Sequence, residues 1–147
     1  MLWLSSEMSS KNNRIEALLQ KLQGRSVNAH YLGFVQCFNQ QLFFEAHEVL
    51  EQIWLPQRTG PDGGFFKGLI QFAGAFVHIQ KSRVGPALSL LRLAQENLGR
   101  YPAVHHCFEV ATILEMIQEW RQELESRQAD SLNFSSKPFP KLVLIDS

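Results

Sequence analysis

The sequence of 147 residues has few cysteines and no excess of either charge. Its two cysteines, Cys37 and Cys107, form no Cys-x-x-Cys pair, so neither a disulfide framework nor a zinc knuckle is indicated. Fourteen Lys and Arg residues balance fourteen Asp and Glu residues, which disfavours binding to nucleic acid through a phosphate-neutralising surface. We therefore expect a cytoplasmic protein without nucleic-acid partners.

Long apolar runs are missing as well. The longest apolar stretch, residues 65–79, is interrupted by Lys67, Gln71 and His78 and falls short of the about 18 apolar residues that a membrane-spanning helix needs. Residues 1–6 have no positive flank and too short an apolar run for a secretory signal. We expect neither secretion nor a membrane partner.

The sequence does contain a series of helical patterns. Apolar residues recur at helical spacing near residues 12–22, 29–38, 42–55, 65–81, 86–98 and 103–127. The segment between the third and fourth patterns is rich in Pro and Gly, which is typical of a loop. The patterns predict an all-α fold, a compact bundle of five or six helices in which the third and fourth helices form a central antiparallel hairpin.

The domain organisation is predicted to have three parts. Residues 1–25 are expected to be an N-terminal helical appendage, residues 26–127 the helical-bundle domain, and residues 128–147 an extended C-terminal tail packed on the bundle. Pro138 and Pro140 favour an extended backbone before the last apolar residues. The alternative for this tail is a partner-binding segment.

Polar residues line one side of each helix in the predicted hairpin. On the third helix, His47 and Glu51 lie one turn apart at the edge of an apolar stripe. Glu45 and Gln52 point away from that stripe and are predicted to be solvated. His30, on the preceding helix, is expected at the surface.

The fourth helix carries Lys67, Gln71 and His78 along one narrow line of an otherwise apolar cylinder. Because a buried polar group without a partner costs about 1–3 kcal/mol, this line needs partners. We expect it to face the third helix, with Glu51 toward Lys67 and Gln71, and with His47 nearer His78.

Several segments resemble the proteins grouped as domain of unknown function 309. The resemblance rests on Phe38-Asn39, on residues 43–51 together with Trp54, and on residues 66–71, and it covers about residues 34–102. It implies a small helical-bundle fold and no established biochemical activity. The chain departs from the family in two turns, where members carry a Gly in place of Gln40-Gln41 and a Gly-Ala pair in place of residues 85–87.

Three interpretations are open for the polar cluster. Its candidate residues are His47, Glu48, Glu51, Trp54, Lys67, Gln71 and His78. In the first interpretation, the cluster is an ion-paired network that fixes the register of the helices. In the second, it lines a pocket for a small polar or anionic ligand, with Trp54 and Phe66 as walls and Lys67 as the anion contact.

In the third interpretation, the cluster is the site of a metal-dependent hydrolase-type enzyme. His47, Glu51 and His78 would bind a divalent metal, and Glu48 would serve as general base. The sequence His-Glu-x-x-Glu lacks the second imidazole of a His-Glu-x-x-His zinc motif, so this interpretation is the alternative. Whether the chain is an enzyme stays open, and no cofactor is assigned.

The main expectation is an intracellular helical domain that acts as a binding or structural module, with homo-oligomerisation left open. Two further histidines are given no role. His105 and His106 are expected at the start of the last helix, where adjacent side chains diverge by about 100°. They would therefore be poor joint ligands, one exposed and the other capping the helix.

Overall fold

Helices dominate the fold, as the periodicity predicts. The computed structural model describes residues 9–22, 27–126 and 137–145. The helices within this part of the chain are α1 (Ser9–Leu22), α2 (Val27–Asn39), α3 (Phe43–Trp54), α4 (Gly63–Gln80), α5 (Val84–Leu98) and α6 (Val110–Ser126). A short 3₁₀ turn, Leu55–Gln57, follows α3. The predicted all-α bundle is confirmed.

Helix α4 lies in the centre of the bundle and packs against both α3 and α5. Its close approach to α5 depends on Gly68, because a Cβ there would lie 2.7 Å from Cγ of Leu98. Small residues allow helix backbones to come this close. The position of α4 between two helices decides which of its polar residues can meet α3.

Phenylalanine rings fill the core next to this hairpin. The ring of Phe38 stacks on Phe72 at 5.3 Å between centroids and packs edge to face with Phe43 at 4.9 Å. Burying one such side chain contributes about 1.5–3 kcal/mol to folding. The apolar stripes that mark α2, α3 and α4 in the sequence therefore meet in one core.

The segment before α6 differs from its predicted helical conformation. It forms a small antiparallel hairpin of two strands, β1 (Val104–His105) and β2 (Phe108–Glu109). Both residues of the connecting turn have positive φ, 48° at His106 and 69° at Cys107, as in a type I′ turn. Strands of two residues are too short to show the alternation that would predict them.

Residues 137–145 run over the bundle in an extended conformation. Phe139 stacks on Trp120 at 5.8 Å, and Asn39 forms hydrogen bonds with both the N–H and the carbonyl oxygen of Leu142. The predicted domain boundaries after residues 25 and 127 lie outside the described residues and stay predictions. None of the helices described here is both long and apolar enough to cross a bilayer.

Candidate functional site

Three residues of α3 form a compact polar group, which we call the α3 cluster: His47, Glu48 and Glu51. His47 is fully buried, whereas the side chains of Glu48 and Glu51 are 20% and 22% exposed. Nδ1 of His47 lies 3.2 Å from Oε1 of Glu48, and Nε2 lies 3.4 Å from Oε2 of Glu51. One potential ligand atom from each residue lies within 4.8 Å of the other two, so the cluster could hold a metal ion.

The two carboxyl groups of the cluster have opposite pKa shifts. The hydrogen bond from His47 is the largest influence on Glu51 and, against the effect of burial, lowers the pKa of that carboxyl. Burial is the largest influence on Glu48 and raises its pKa. His47 lowers this pKa, and the charge of the neighbouring Glu51 raises it further. The cluster therefore pairs a carboxylate that ionises readily with a carboxyl group that retains its proton more strongly.

The contacts of the imidazole define what can lie between His47 and Glu51. Nδ1 lies 3.1 Å from the carbonyl oxygen of Phe44, which can only accept a hydrogen bond. A neutral ring with its hydrogen on Nδ1 presents a lone pair from Nε2 to the Glu51 carboxylate. That neutral form could share a cation with the carboxylate, whereas a ring with a hydrogen on Nε2 donates the hydrogen bond that lowers the pKa of Glu51.

Lys67 and Trp54 lie beside the cluster. Nζ of Lys67 lies 4.9 Å from the centroid of the Trp54 ring, a distance typical of a cation–π contact. The positive charge of Lys67 also contributes to lowering the pKa of Glu51. The structure therefore gives Lys67 a contact with Trp54 and an electrostatic influence on Glu51, and the predicted pairing of Lys67 with Glu51 stays a prediction.

Gln71 makes its hydrogen bond on the other side of α4. Its Oε1 accepts a hydrogen bond of 2.8 Å from Nδ2 of Asn97 in α5. The expectation that α3 supplies the partner of Gln71 is wrong in this respect. The reason is that α4 has a neighbouring helix on each of two sides. Helical periodicity shows that Gln71 lies on the same face of α4 as Lys67, but it does not show which neighbouring helix that face contacts.

His78 lies near the end of α4 and is buried. Burial and, to a smaller extent, the charge of Arg83 lower its pKa. Among the described residues, the ligand atoms that lie within 4.8 Å of one another around His47 belong to Glu48 and Glu51. His78 is not part of this group.

Two residues that the sequence predicts to be solvated are covered. Glu45 is only 1% exposed, and Gln52 is half-buried. Gln52 accepts a hydrogen bond of 2.9 Å from Nε2 of His30, which is itself buried and not at the surface. These predictions fail because α3 packs against α1, α2 and α4, and this covering cannot be read from the period of α3 alone.

The predicted pocket wall Phe66 is also buried. Its ring packs on Tyr31 at 6.1 Å and stacks on His106 at 6.2 Å between centroids. A cavity of about 80 Å³ lies elsewhere, between β2, α6 and the tail. It is lined by Phe108, Glu109, Thr112, Ile113, Met116, Lys141, Leu142 and Val143, and shares no residue with the α3 cluster.

A second polar group lies where the hairpin meets the start of α4. We call Asp62, His105 and His106 the hairpin triad. Nε2 of His105 donates to Oδ1 of Asp62 at 2.9 Å, and Nε2 of His106 donates to Oδ2 at 2.7 Å. Burial raises the pKa of Asp62, but the hydrogen bonds from the two histidines outweigh it, and the pKa lies below its usual value.

The triad corrects the expectation that these histidines diverge. They lie in a hairpin and not at a helix start, and the positive φ of His106 turns its ring toward the same carboxylate as His105. The adjacent histidines are visible in the sequence as metal-ligand residue types. Nothing in the sequence, however, connects them with Asp62 more than 40 positions away.

Comparison with protein families finds a match that covers part of the chain. Residues 31–90 match the model of the family described as Domain of unknown function (DUF309). This confirms the resemblance and includes the whole α3 cluster and Asp62, whereas His105 and His106 lie outside the match. Comparisons with curated proteins and with solved structures find no match.

Proposed function

We propose, starting from the match of residues 31–90 to the DUF309 family model, that the bundle is a binding module whose α3 cluster binds a divalent cation. The observation that carries this proposal is the 3.4 Å contact between Nε2 of His47 and Oε2 of Glu51, with Glu48 beside the same ring. Nε2 of His47 and this carboxylate oxygen are both ligand atoms that a divalent cation accepts, and they lie close enough to hold one ion.

The charge of the cluster favours a cation over an anion. Two carboxyl groups lie against one imidazole, and the nearby Lys67 already contacts Trp54. Imidazole and carboxylate are both ligands of first-row divalent metals, and a carboxylate-rich set suits Mn²⁺. The alternative, expected from the sequence, is that the site binds a small anionic ligand through Lys67.

The helix arranges these ligands without help from distant segments. His47 and Glu51 are four residues apart and therefore lie on one face of α3. A hydrogen bond from Nδ1 to the Phe44 carbonyl would orient the ring with Nε2 toward Glu51. Such partners of the second ring nitrogen commonly orient metal-binding histidines.

The test is a calorimetric titration of the metal-stripped full chain with Mn²⁺. We expect saturable binding that is weakened at least about tenfold by Glu51→Gln and by Glu48→Gln, because each change removes a ligand charge. The matched control is Glu96→Gln, which makes the same chemical change at a surface carboxylate paired with Arg100. That variant should bind Mn²⁺ like the parent protein.

The proposal fails if Mn²⁺ does not bind, or if Glu51→Gln binds it as tightly as the parent. Stabilisation of the protein by inorganic phosphate that is lost in Lys67→Ala would support the anion pocket instead. Lower stability of Glu51→Gln without binding of either ion would leave the cluster as a network that fixes helix register.

The opposite pKa shifts of Glu48 and Glu51 favour one further function, metal-dependent hydrolysis. A carboxyl group whose pKa is raised is better suited to exchange protons near neutral pH, which is the role of general base assigned to Glu48. In this alternative, His47 and Glu51 would hold the metal, because His78 lies outside their group of ligand atoms. A Mn²⁺-dependent hydrolysis of a simple phosphate ester should then fall about 100-fold or more in Glu48→Gln.

A further inference from the structure

We propose that the hairpin triad is a second metal site, distinct from the α3 cluster, and that it binds a divalent transition-metal ion such as Zn²⁺. The ligands are Nε2 of His105, Nε2 of His106 and the carboxylate of Asp62. The ligand atoms of these three residues lie within 4.8 Å of one another, and both histidine contacts are shorter than 3 Å.

The donor set is complete for an open metal site. Zinc sites with three protein ligands combine imidazole nitrogens and a carboxylate at about 2.0–2.2 Å and leave a fourth position for water. The two imidazoles approach different oxygens of Asp62, so an ion can enter between three converging groups. The ion replaces the hydrogen on each Nε2, and each ring then carries its hydrogen on Nδ1.

Backbone geometry aims the second histidine at the site. His106 and Cys107 both have positive φ, although the turn type prefers Asn and Gly at these positions. The N–H of Ile145 donates to the carbonyl of Cys107 at 2.9 Å, and His105 pairs with Phe108 across the hairpin. These contacts maintain a conformation that brings two adjacent side chains to one carboxylate.

Aromatic packing holds the two imidazole rings in place. Phe65 and His105 pack edge to face with 4.8 Å between ring centroids, and Phe66 lies nearly parallel to His106 at 6.2 Å. The hydroxyl group of Tyr101 donates to the carbonyl of Pro61, next to Asp62. Rings fixed in this way lose little freedom when they bind an ion.

Solvent can still reach the triad. Its side chains are 23–38% exposed, with His106 the most exposed of the three. A metal ion can therefore enter from water and keep water at its open position. Two nitrogens and one oxygen suit Zn²⁺ or Co²⁺, whereas the α3 cluster offers two oxygens and one nitrogen.

The experiment uses the metal-stripped full chain with Glu51→Gln, so that the α3 cluster does not contribute. Titration with Zn²⁺ should give one ion per chain. His106→Gln and Asp62→Asn should each weaken Zn²⁺ binding at least about tenfold, because each removes a direct ligand. Glu109→Gln changes an exposed carboxylate of the same hairpin and should leave the affinity unchanged.

Circular dichroism in the presence of a chelator shows whether each variant is folded. His106→Gln changes the most exposed member of the triad and is the variant least able to disturb the core. The proposal is overturned if Zn²⁺ does not bind, or if folded His106→Gln binds it as tightly as the parent. Failure of Mn²⁺ binding at the α3 cluster would not affect this result.

Discussion

Gln71 shows how much a buried side chain depends on its hydrogen-bond donor. Its amide oxygen is covered by α5 and accepts the hydrogen bond from Asn97. A buried acceptor that loses its donor bears the full cost of its desolvation. The same requirement applies to any polar residue on a central helix such as α4.

Asn97→Ala is expected to lower the free energy of unfolding by about 1–3 kcal/mol, because Gln71 loses its donor. Urea denaturation at neutral pH measures this change. The control Glu96→Ala removes a neighbouring exposed side chain whose pair with Arg100 contributes about 1 kcal/mol or less. Equal changes in the two variants would mean that the hydrogen bond between Asn97 and Gln71 contributes no more to stability than an exposed ion pair.

The ionisation of another single residue, His78, makes the stability of the chain depend on pH. Its pKa is lower in the folded chain than the ordinary value of 6.5, chiefly because burial disfavours the charged ring. The stability that depends on neutral His78 is therefore fully present above about pH 6.5 and is lost as the pH falls through the lowered pKa. The unfolded chain binds the proton more readily over that range.

We expect the urea midpoint of the parent chain to fall between about pH 7 and about pH 5, and to fall less in His78→Gln. The measurement is made with a chelator present, so that metal binding does not contribute. Identical pH profiles for the two proteins would contradict the assignment to His78.

Among the helices, α4 and α5 form a close packing contact. Gly68 lets the two helices approach, with Leu98 directly opposite. This contact also brings Asn97 to Gln71. The spacing between these two helices therefore governs both an apolar contact and a buried hydrogen bond.

Gly68→Ala should destabilise the chain by about 1–3 kcal/mol, because the new Cβ overlaps Leu98 and forces the helices apart. Thermal or urea unfolding measures the change. The control is Gly85→Ala, where a Cβ would meet nothing within 4 Å, and its stability should be unchanged or higher. A neutral Gly68→Ala would show that Leu98 moves aside without cost.

At the scale of the whole molecule, the two polar groups lie on different parts of the fold. The α3 cluster belongs to one helix, whereas the hairpin triad joins the start of α4 to the β-hairpin. An ion at the triad would therefore cross-link segments that separate when the chain unfolds. Binding to the folded state alone stabilises it in proportion to the logarithm of ligand concentration.

Zn²⁺ at about 100 times its dissociation constant should raise the free energy of unfolding by about 2.7 kcal/mol. The thermal midpoint should rise with it by roughly 5–10 °C for a domain of this size. With Glu51→Gln present throughout to remove the α3 cluster, Asp62→Asn should remove the rise, whereas Glu109→Gln should retain it. A rise that persists in Asp62→Asn would place the ion elsewhere on the molecule.

The sequence by itself determined the features that depend on neighbouring residues. Helical periodicity is local, so it was sufficient for the all-α fold and the central hairpin. The α3 cluster lies within about one turn of one helix, and its spacing alone brings His47 and Glu51 together. The segments that resemble DUF309 are likewise short and continuous in sequence.

Only the tertiary structure decided the contacts between distant segments. It placed Asn97 against Gln71, covered Glu45, and brought His106 to Asp62. Each of these depends on which neighbour a helix face meets or on the backbone angle at a single turn residue. The neighbour of a helix face and the backbone angle of a turn residue leave no periodic signal in the sequence, because the packing of the whole chain sets them.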